Sequence, residues 1–244
     1  MPPLQPPLKK SVVELHDPTL RRILSEVLQP PDDARPVMLF IAGCNGSGKT
    51  TFFDMLCDQL GHRIDFINAD ILAKIVGTAP EPDKLAQQVA ETMRVHYVQH
   101  GASFATETVF SDPEGAKLKF LADARARGMR VVMVYVALAN WHLSRERVAF
   151  RVAEKQGHDV PTAKLQRRHE ASMRNARMAA ASFVDTAIIL DNSTADPRRS
   201  FRPMAVVQNG ETTWQASDVP AYILPLLPPG DADAIGHDAT STLT

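Results

Sequence analysis

Short apolar runs divide the chain at intervals and predict its β-strands. These runs lie at 37–43, 65–68, 103–107, 129–138 and 186–190. The run at 129–138, MRVVMVYVAL, is the longest and is rich in valine. It is too short for a typical buried helix, so it favours a central strand that is covered on both faces, as in a parallel sheet.

Between the strands, apolar residues recur every three or four positions, which is the period of a helix with one buried face. This pattern predicts helices at 18–28, 50–60, 83–99, 112–126, 141–155 and 162–181. Strands that alternate with such helices predict an α/β domain with a mainly parallel sheet. Near the end, Asn209-Gly210 separates two extended segments. This dipeptide favours a β-hairpin, which we expect to add antiparallel strands at one edge.

Proline is concentrated at both ends of the chain and suggests how it is divided. With 244 residues, the chain has room for one large domain with appendages. We expect a Pro-rich extension with one helix at 1–35 and one folded domain at 36–227. The small, polar tail at 228–244 is predicted to be disordered.

Charge and hydropathy exclude several classes of protein. The formal net charge is −1, so nothing indicates a nucleic-acid partner. No apolar run reaches about 18 residues, which excludes a membrane-spanning helix, and the start MPPLQPPLKK lacks the apolar core of a secretory signal. We therefore expect a cytoplasmic protein without a membrane partner.

The segment Gly43–Thr50, GCNGSGKT, fills every fixed position of the phosphate-binding pattern G-x-x-x-x-G-K-[ST]. It follows a predicted strand and opens a predicted helix, so backbone N–H groups and the helix N-terminus can receive phosphate. Lys49 is predicted to contact the β- and γ-phosphates of ATP, and the Thr50 hydroxyl to ligate Mg²⁺. The nucleotide-binding set is predicted to be Gly43, Asn45, Gly46, Ser47, Gly48, Lys49, Thr50 and Thr51.

The absence of several motifs reduces the number of P-loop protein classes that the sequence fits. The chain has no N-K-x-D motif of a GTPase and no LSGGQ-like signature of an ABC ATPase. The strand at 129–138 is followed by Ala139-Asn140, without the acidic residue expected of a RecA-like ATPase. What remains is a kinase that transfers phosphate to a small acceptor.

A kinase needs a carboxylate at the acceptor hydroxyl and polar groups that hold the acceptor. Asp70 directly follows the short strand at 65–68, although it could instead cap the next helix. Glu107 and Thr108 follow the strand at 103–107, although a simple turn role is the alternative. Because parallel strands end at the same edge, we expect all three residues to face one crevice.

Cations that could close over the transferred phosphoryl group lie in the two helices predicted between 141 and 182. The segment 141–180 has nine Lys and Arg against four Asp and Glu. These helices are predicted to form a hinged, basic lid that presents Arg147, Arg151, Arg167 and Arg168. The alternative is a basic helix face that is merely solvated.

Together these pieces resemble the zeta toxin family of P-loop kinases. The matching segments, within 37–193, are AGCNGSGKTT, INADILA, GASFATETVFS, RVAFRVAEKQGHDVPTAKLQRRHEASMRN and LDNS. The resemblance implies a three-layer P-loop kinase fold and phosphorylation of the 3′-hydroxyl of UDP-N-acetylglucosamine. It also implies that Lys49 and Thr50 handle ATP–Mg²⁺, that Asp70 is the base and that Glu107 and Thr108 hold the acceptor. Arg151, with Arg167 or Arg168, would stabilise the transferred group.

Three functional hypotheses follow. The first is an ATP-dependent kinase of a UDP-sugar that acts as the toxin of a toxin–antitoxin pair, with a small helical antitoxin as partner. The second is a non-toxic kinase of another hydroxylated metabolite. The third is a P-loop ATPase or nucleotide-binding regulator without an acceptor.

Overall fold

The computed structural model describes residues 15–28, 32–61, 63–77, 79–154, 160–194, 196 and 199–228. It contains one seven-stranded sheet with the order β2-β3-β1-β4-β5-β6-β7. The strands are β1 (Val37–Ala42), β2 (Phe66–Ile67), β3 (Phe104–Thr108), β4 (Arg130–Ala137), β5 (Thr186–Asp191), β6 (Arg202–Gln208) and β7 (Glu211–Gln215). The first five strands pair in parallel, which confirms the predicted α/β class.

β6 and β7 pair in antiparallel fashion at one end of the sheet, beside β5. The turn between them is formed by Asn209 and Gly210, with φ values of +50° and +85°. Asparagine and glycine tolerate this left-handed backbone, which explains the turn at this position. The predicted C-terminal hairpin is confirmed.

Seven α-helices connect or flank the strands in the part of the chain that the structure describes. They are α1 (Pro18–Leu28), α2 (Lys49–Leu60), α3 (Ala69–Val76), α4 (Pro82–Gln99), α5 (Ala116–Ala126), α6 (Trp141–Ala153) and α7 (Thr162–Met178). None of the described helices is long and apolar enough to cross a membrane.

Helices cover both faces of the sheet and give a three-layer sandwich. Alternate residues of β1 belong to different apolar cores, because successive side chains of a strand point to opposite faces of the sheet. Leu39 and Ile41 pack on the side of α1 and α2. Met38 and Phe40 pack on the side of α4, α5 and α7.

α1 belongs to one of these cores. Leu20 and Leu24 are fully buried in the same apolar cluster as residues of β1 and α2. The end of the helix is also fixed, because the buried Arg130 of β4 donates hydrogen bonds to the carbonyls of Val27 and Leu28. The helix is therefore packed directly against the central sheet.

Several predicted boundaries differ from those observed. The helix predicted from residue 112 begins at Ala116, because Pro113 and Glu114 form a turn and Gly115, with φ of +72°, is the N-cap of the helix. α7 ends at Met178 and continues as one π-helical turn, Ala179–Phe183. Part of the predicted lid loop, at 155–159, and the predicted tail from residue 229 lie outside the described residues.

Candidate active site

A cleft of about 1280 Å³ opens at the carboxyl ends of the parallel strands. The turn after β1, the ends of β2 and β3 and the residues after β5 all contribute side chains to it. Helices α3 and α4 line one side, and helices α6 and α7 line the other. Ligands bind at this edge of open parallel sheets, so the location agrees with the sequence prediction.

The floor of the cleft is the turn from β1 into α2, which is the predicted phosphate loop. Gly43 and Gly48 have φ values of +149° and +97°, which residues with a side chain rarely adopt. A Cβ at Gly43 would lie 2.5 Å from the Val136 carbonyl oxygen, so no side chain fits there. The loop is closed by a hydrogen bond of 3.2 Å from the Ser47 N–H to the Cys44 carbonyl.

Lys49 is the first residue of α2, and its side chain curls over this loop. Its Nζ donates a hydrogen bond of 3.1 Å to the Cys44 carbonyl, and the residue is only 7% exposed. A nearly buried ammonium group beside a helix N-terminus is strongly attracted to an anion. The position therefore suits the phosphates of a nucleotide.

Thr50 and Glu107 meet across the cleft floor. The Thr50 hydroxyl donates a hydrogen bond of 2.7 Å to the Glu107 Oε2. A hydroxyl and a carboxylate are oxygen donors of the kind that Mg²⁺ prefers. These two residues therefore fit a site for a magnesium–nucleotide complex, with Glu107 nearer to the predicted metal ligand than the sequence analysis expected.

Asp70 lies in the first turn of α3, and Asn68 caps that helix. The Asn68 side chain accepts hydrogen bonds from the backbone N–H groups of Asp70 and Ile71, at 2.7 and 3.2 Å. The interpretation of Asp70 as the cap is therefore wrong, because the helix starts one residue before it. Its carboxylate lines the cleft.

Arg168 of α7 lines the same cleft as this carboxylate. Burial lowers the pKa of its guanidinium, while the negative charge of Asp70 partly opposes that effect. Arg168 Nη1 also donates a hydrogen bond of 3.2 Å to the Asn45 Oδ1 of the phosphate loop. Arg168 is thus tied to the phosphate loop in the cleft that Asp70 also lines.

Of the other lid arginines, two reach the cleft and one does not. Arg147 lines the cleft and donates a hydrogen bond of 3.0 Å to the Thr194 carbonyl, and burial lowers its pKa. Arg151 lines the cleft one helical turn further along α6. Arg167 is exposed and does not line the cleft, so the structure separates it from its neighbour Arg168.

Most residues predicted for the site share this one cleft. Those that line it are Asn45, Gly46, Gly48, Lys49, Thr50, Thr51, Asp70, Glu107, Thr108, Arg147, Arg151 and Arg168. Gly43 and Ser47 are buried in the loop and do not line the cleft, so they shape the loop from behind.

A polar network on α4 and α5 was missed from the sequence. Arg94 is 8% exposed, and its Nη2 lies 2.6 Å from the Glu91 Oε2. Lys117 Nζ lies 3.4 Å from the same oxygen. Partial burial alone would raise the pKa of Glu91, but Arg94 and Lys117 lower it overall, which keeps the carboxylate ionised.

The signal for this network was present but weak. Gln87, Gln88, Glu91 and Arg94 recur at helical spacing along α4 and line the cleft. A polar helix face is usually solvated, so only the packing of α3 and α4 identifies this one as a wall of the site.

Comparisons with known proteins identify the family and the fold of the chain. The family model described as AAA domain matches residues 38–174. No curated protein sequence matches the chain.

Two solved structures have folds similar to that of this chain. A chain of the PezAT chromosomal toxin–antitoxin system of Streptococcus pneumoniae has 16% identity and a TM-score of 0.52, over 73% of this chain and 80% of that one. The AvrRxo1-ORF1:ORF2 complex with ATP has 14% identity and a TM-score of 0.59, over 92% and 74%. These similarities confirm the fold that the sequence resemblance predicted.

Proposed function

We propose that this chain, which belongs to the AAA domain family, is an ATP-dependent kinase of a small hydroxylated molecule. One observation carries the proposal: the Asp70 carboxylate and the Arg168 guanidinium share one cleft with a phosphate loop that holds Lys49, and Arg168 is hydrogen-bonded to that loop. Nucleotide binding alone requires neither an acid nor an arginine at that place. Phosphoryl transfer uses both.

In the proposed reaction, the acceptor hydroxyl attacks the γ-phosphorus of ATP. Asp70 takes the hydroxyl proton as the new oxygen–phosphorus bond forms. The bond from the γ-phosphorus to the oxygen that bridges it to the β-phosphate breaks, and ADP leaves. Lys49, Arg151 and Arg168 stabilise the negative charge on the transferred group and on the leaving phosphate.

Mg²⁺ would be held with the nucleotide at Thr50, and Glu107 would orient the Thr50 hydroxyl from the second coordination shell. When bound, the ion neutralises phosphate charge. The hydrogen bond of 2.7 Å between the two side chains supports this assignment. Glu107 also lines the cleft, which supports the acceptor contact that the sequence resemblance implies.

The acceptor is proposed to be UDP-N-acetylglucosamine or a related UDP-sugar. The resemblance to zeta toxins is the main support. The chemistry of the α4 wall is a second support, because both cations that contact Glu91 bind its Oε2, and no hydrogen bond to its Oε1 is found among the described residues. Such an ionised carboxylate, with Gln87 and Gln88 beside it, suits hydroxyl and N–H donors of an amino sugar.

A toxin role is proposed on the same basis, with a small helical antitoxin as partner. The PezAT chain belongs to a toxin–antitoxin system, and the AvrRxo1-ORF1 structure was solved together with a second chain. The proposed pair would be detected as growth arrest when this chain is expressed alone. Co-expression of a small helical protein encoded next to it would relieve the arrest.

Transfer of labelled γ-phosphate from ATP to a panel of UDP-sugars tests the enzymatic proposal. We expect labelled UDP-N-acetylglucosamine with the wild-type protein and none with Lys49→Ala. Labelling of another hydroxylated metabolite alone would support the non-toxic kinase. Release of free phosphate without any labelled acceptor would support an ATPase and contradict the proposal.

A further inference from the structure

Asn192 is the first residue after β5 and is almost completely buried, with 6% of its surface exposed. Its backbone N–H donates a hydrogen bond of 3.0 Å to the carbonyl of Ala137, the last residue of β4. Asn192 is therefore fixed to the end of the two central strands. Its side chain lines the nucleotide end of the cleft.

The Asn192 amide contacts the backbone of the phosphate loop. Its Nδ2 donates a hydrogen bond of 2.8 Å to the Ser47 carbonyl oxygen. Ser47 is fully buried, and its own hydroxyl has no partner among the described residues. A buried carbonyl that loses its donor is destabilised, so Asn192 determines where this carbonyl points.

The direction of that carbonyl also fixes the direction of the Gly48 N–H in the same peptide group. In a trans peptide the C=O of Ser47 and the N–H of Gly48 point in opposite directions. The contact is close, because a Cβ on Gly48 would lie only 2.7 Å from the Asn192 Nδ2. Gly48 is one of the loop residues that line the cleft, so its N–H is a donor for phosphate.

We propose that Asn192 is a positioning residue for ATP, which orients the Ser47–Gly48 peptide so that its N–H stays available to the phosphates. The inference rests on the proposed function only in that ATP binds at the phosphate loop. Asn192 touches neither reacting atom in this scheme. It acts through the loop backbone and therefore influences recognition of phosphate rather than of the nucleoside.

Calorimetric titration of Asn192→Leu with ATP–Mg²⁺ and, separately, with adenosine tests the inference. Leucine has nearly the same shape, has no donor and leaves little room for a replacing water. Asn192→Ala serves as a second variant. Asn175→Leu is the matched control, because Asn175 is also buried and its Nδ2 donates to the Phe110 and Asp112 carbonyls, away from the phosphate loop.

We expect Asn192→Leu to weaken ATP binding by about tenfold and to leave adenosine binding unchanged. Asn175→Leu should lower the melting temperature without changing either affinity. Wild-type affinity for ATP in a folded Asn192 variant overturns the inference, as does a parallel loss for ATP and adenosine. If both Asn192 variants fail to fold while Asn175→Leu folds, Asn192 serves stability, and the inference is again wrong.

The two proposals fail in different ways. If the wild-type protein does not bind ATP, the proposed function and this inference both fall. If the wild type binds ATP and Asn192→Leu binds it equally well, only the inference falls. If Asn192→Leu behaves as expected but no acceptor is labelled, the inference stands and the kinase proposal falls.

Discussion

The Thr50 hydroxyl donates a hydrogen bond of 2.7 Å to the carboxylate of Glu107, which joins the first turn of α2 to the end of β3. The register of the sheet explains the pairing, because Ala42 and Thr108 are partners at the ends of β1 and β3. The phosphate loop and the end of β3 must therefore lie side by side. The acid nearest to the expected magnesium ligand comes from a strand next to β1.

This contact predicts the effect of Glu107→Gln on the magnesium requirement. The amide can still accept the Thr50 hydrogen bond but lacks the negative charge that favours a cation. We expect the Mg²⁺ concentration for half-maximal ATP turnover to rise by about tenfold or more. Glu114→Gln, an exposed position outside the cleft, should behave as wild type. An unchanged Mg²⁺ requirement with a raised acceptor KM would return Glu107 to the acceptor-binding role that the sequence predicted.

Asp70→Asn should slow phosphoryl transfer strongly while ATP still binds. The amide cannot take a proton from the acceptor hydroxyl, so we expect the transfer rate to fall by about 10²- to 10⁴-fold. Rates from single turnovers and the ATP dissociation constant would be measured together. Asp83→Asn is a matched control, since Asp83 also lies in the first turn of a helix but does not line the cleft. Equal rates for the two variants would exclude Asp70 as the base.

Substitutions of two adjacent arginines should differ in their effect on the rate of phosphoryl transfer. Arg168→Ala removes a cation that lines the cleft with Asp70 and bonds to Asn45, so we expect transfer to fall by about 10²-fold or more. Arg167→Ala removes the same charge from the same helix, but outside the cleft, and should leave the rate near that of wild type. A larger loss at Arg167 would mean that α7 presents another face during the reaction.

His169 predicts how stability depends on pH. It is 8% exposed, and burial lowers its pKa from the ordinary 6.5, with only partial opposition from the charge of Glu170. As pH falls below about 6.5, the unfolded chain therefore takes up a proton that the folded state resists. The contribution of the neutral His169 ring to the free energy of unfolding is therefore fully present above this pH and decreases on acidification.

The melting temperature should accordingly fall between pH 7 and pH 5, and His169→Gln should reduce the size of that fall. His142→Gln, at an exposed position of α6, is the control and should keep the wild-type pH profile. Thermal melts in matched buffers would measure the effect. If His169→Gln and wild type lose the same number of degrees, proton uptake at this ring does not govern the acid response.

Features set by neighbouring residues were predictable from the sequence. The phosphate loop needs glycine at positive φ, and the β6–β7 turn needs Asn209-Gly210, so both are determined locally. The parallel sheet followed from the alternation of apolar patterns. For the same reason the position of Asp70 at the cleft could be expected from the short strand that precedes it.

Features set by the relative rotation of helices were not predictable. Arg167 and Arg168 are neighbours, and an α-helix turns about 100° per residue, so only the contact of α7 with the rest of the fold decides which one faces the cleft. The Glu91–Arg94 pair depends likewise on how α4 lies against β3, where Arg94 Nη1 approaches Thr106 Oγ1 at 3.4 Å. Helical spacing alone does not show which of these polar side chains line the cleft.

Asn45 connects the phosphate loop to both basic helices at once. Its carbonyl accepts a hydrogen bond of 2.6 Å from the Ser144 hydroxyl of α6, and its side chain accepts one from Arg168 of α7. If the tip of the loop is displaced when nucleotide binds, the displacement would therefore be transmitted to both helices through this one residue. Deuterium uptake in α6 and in α7 should then change together when ATP is added, because the two helices respond to the same displacement.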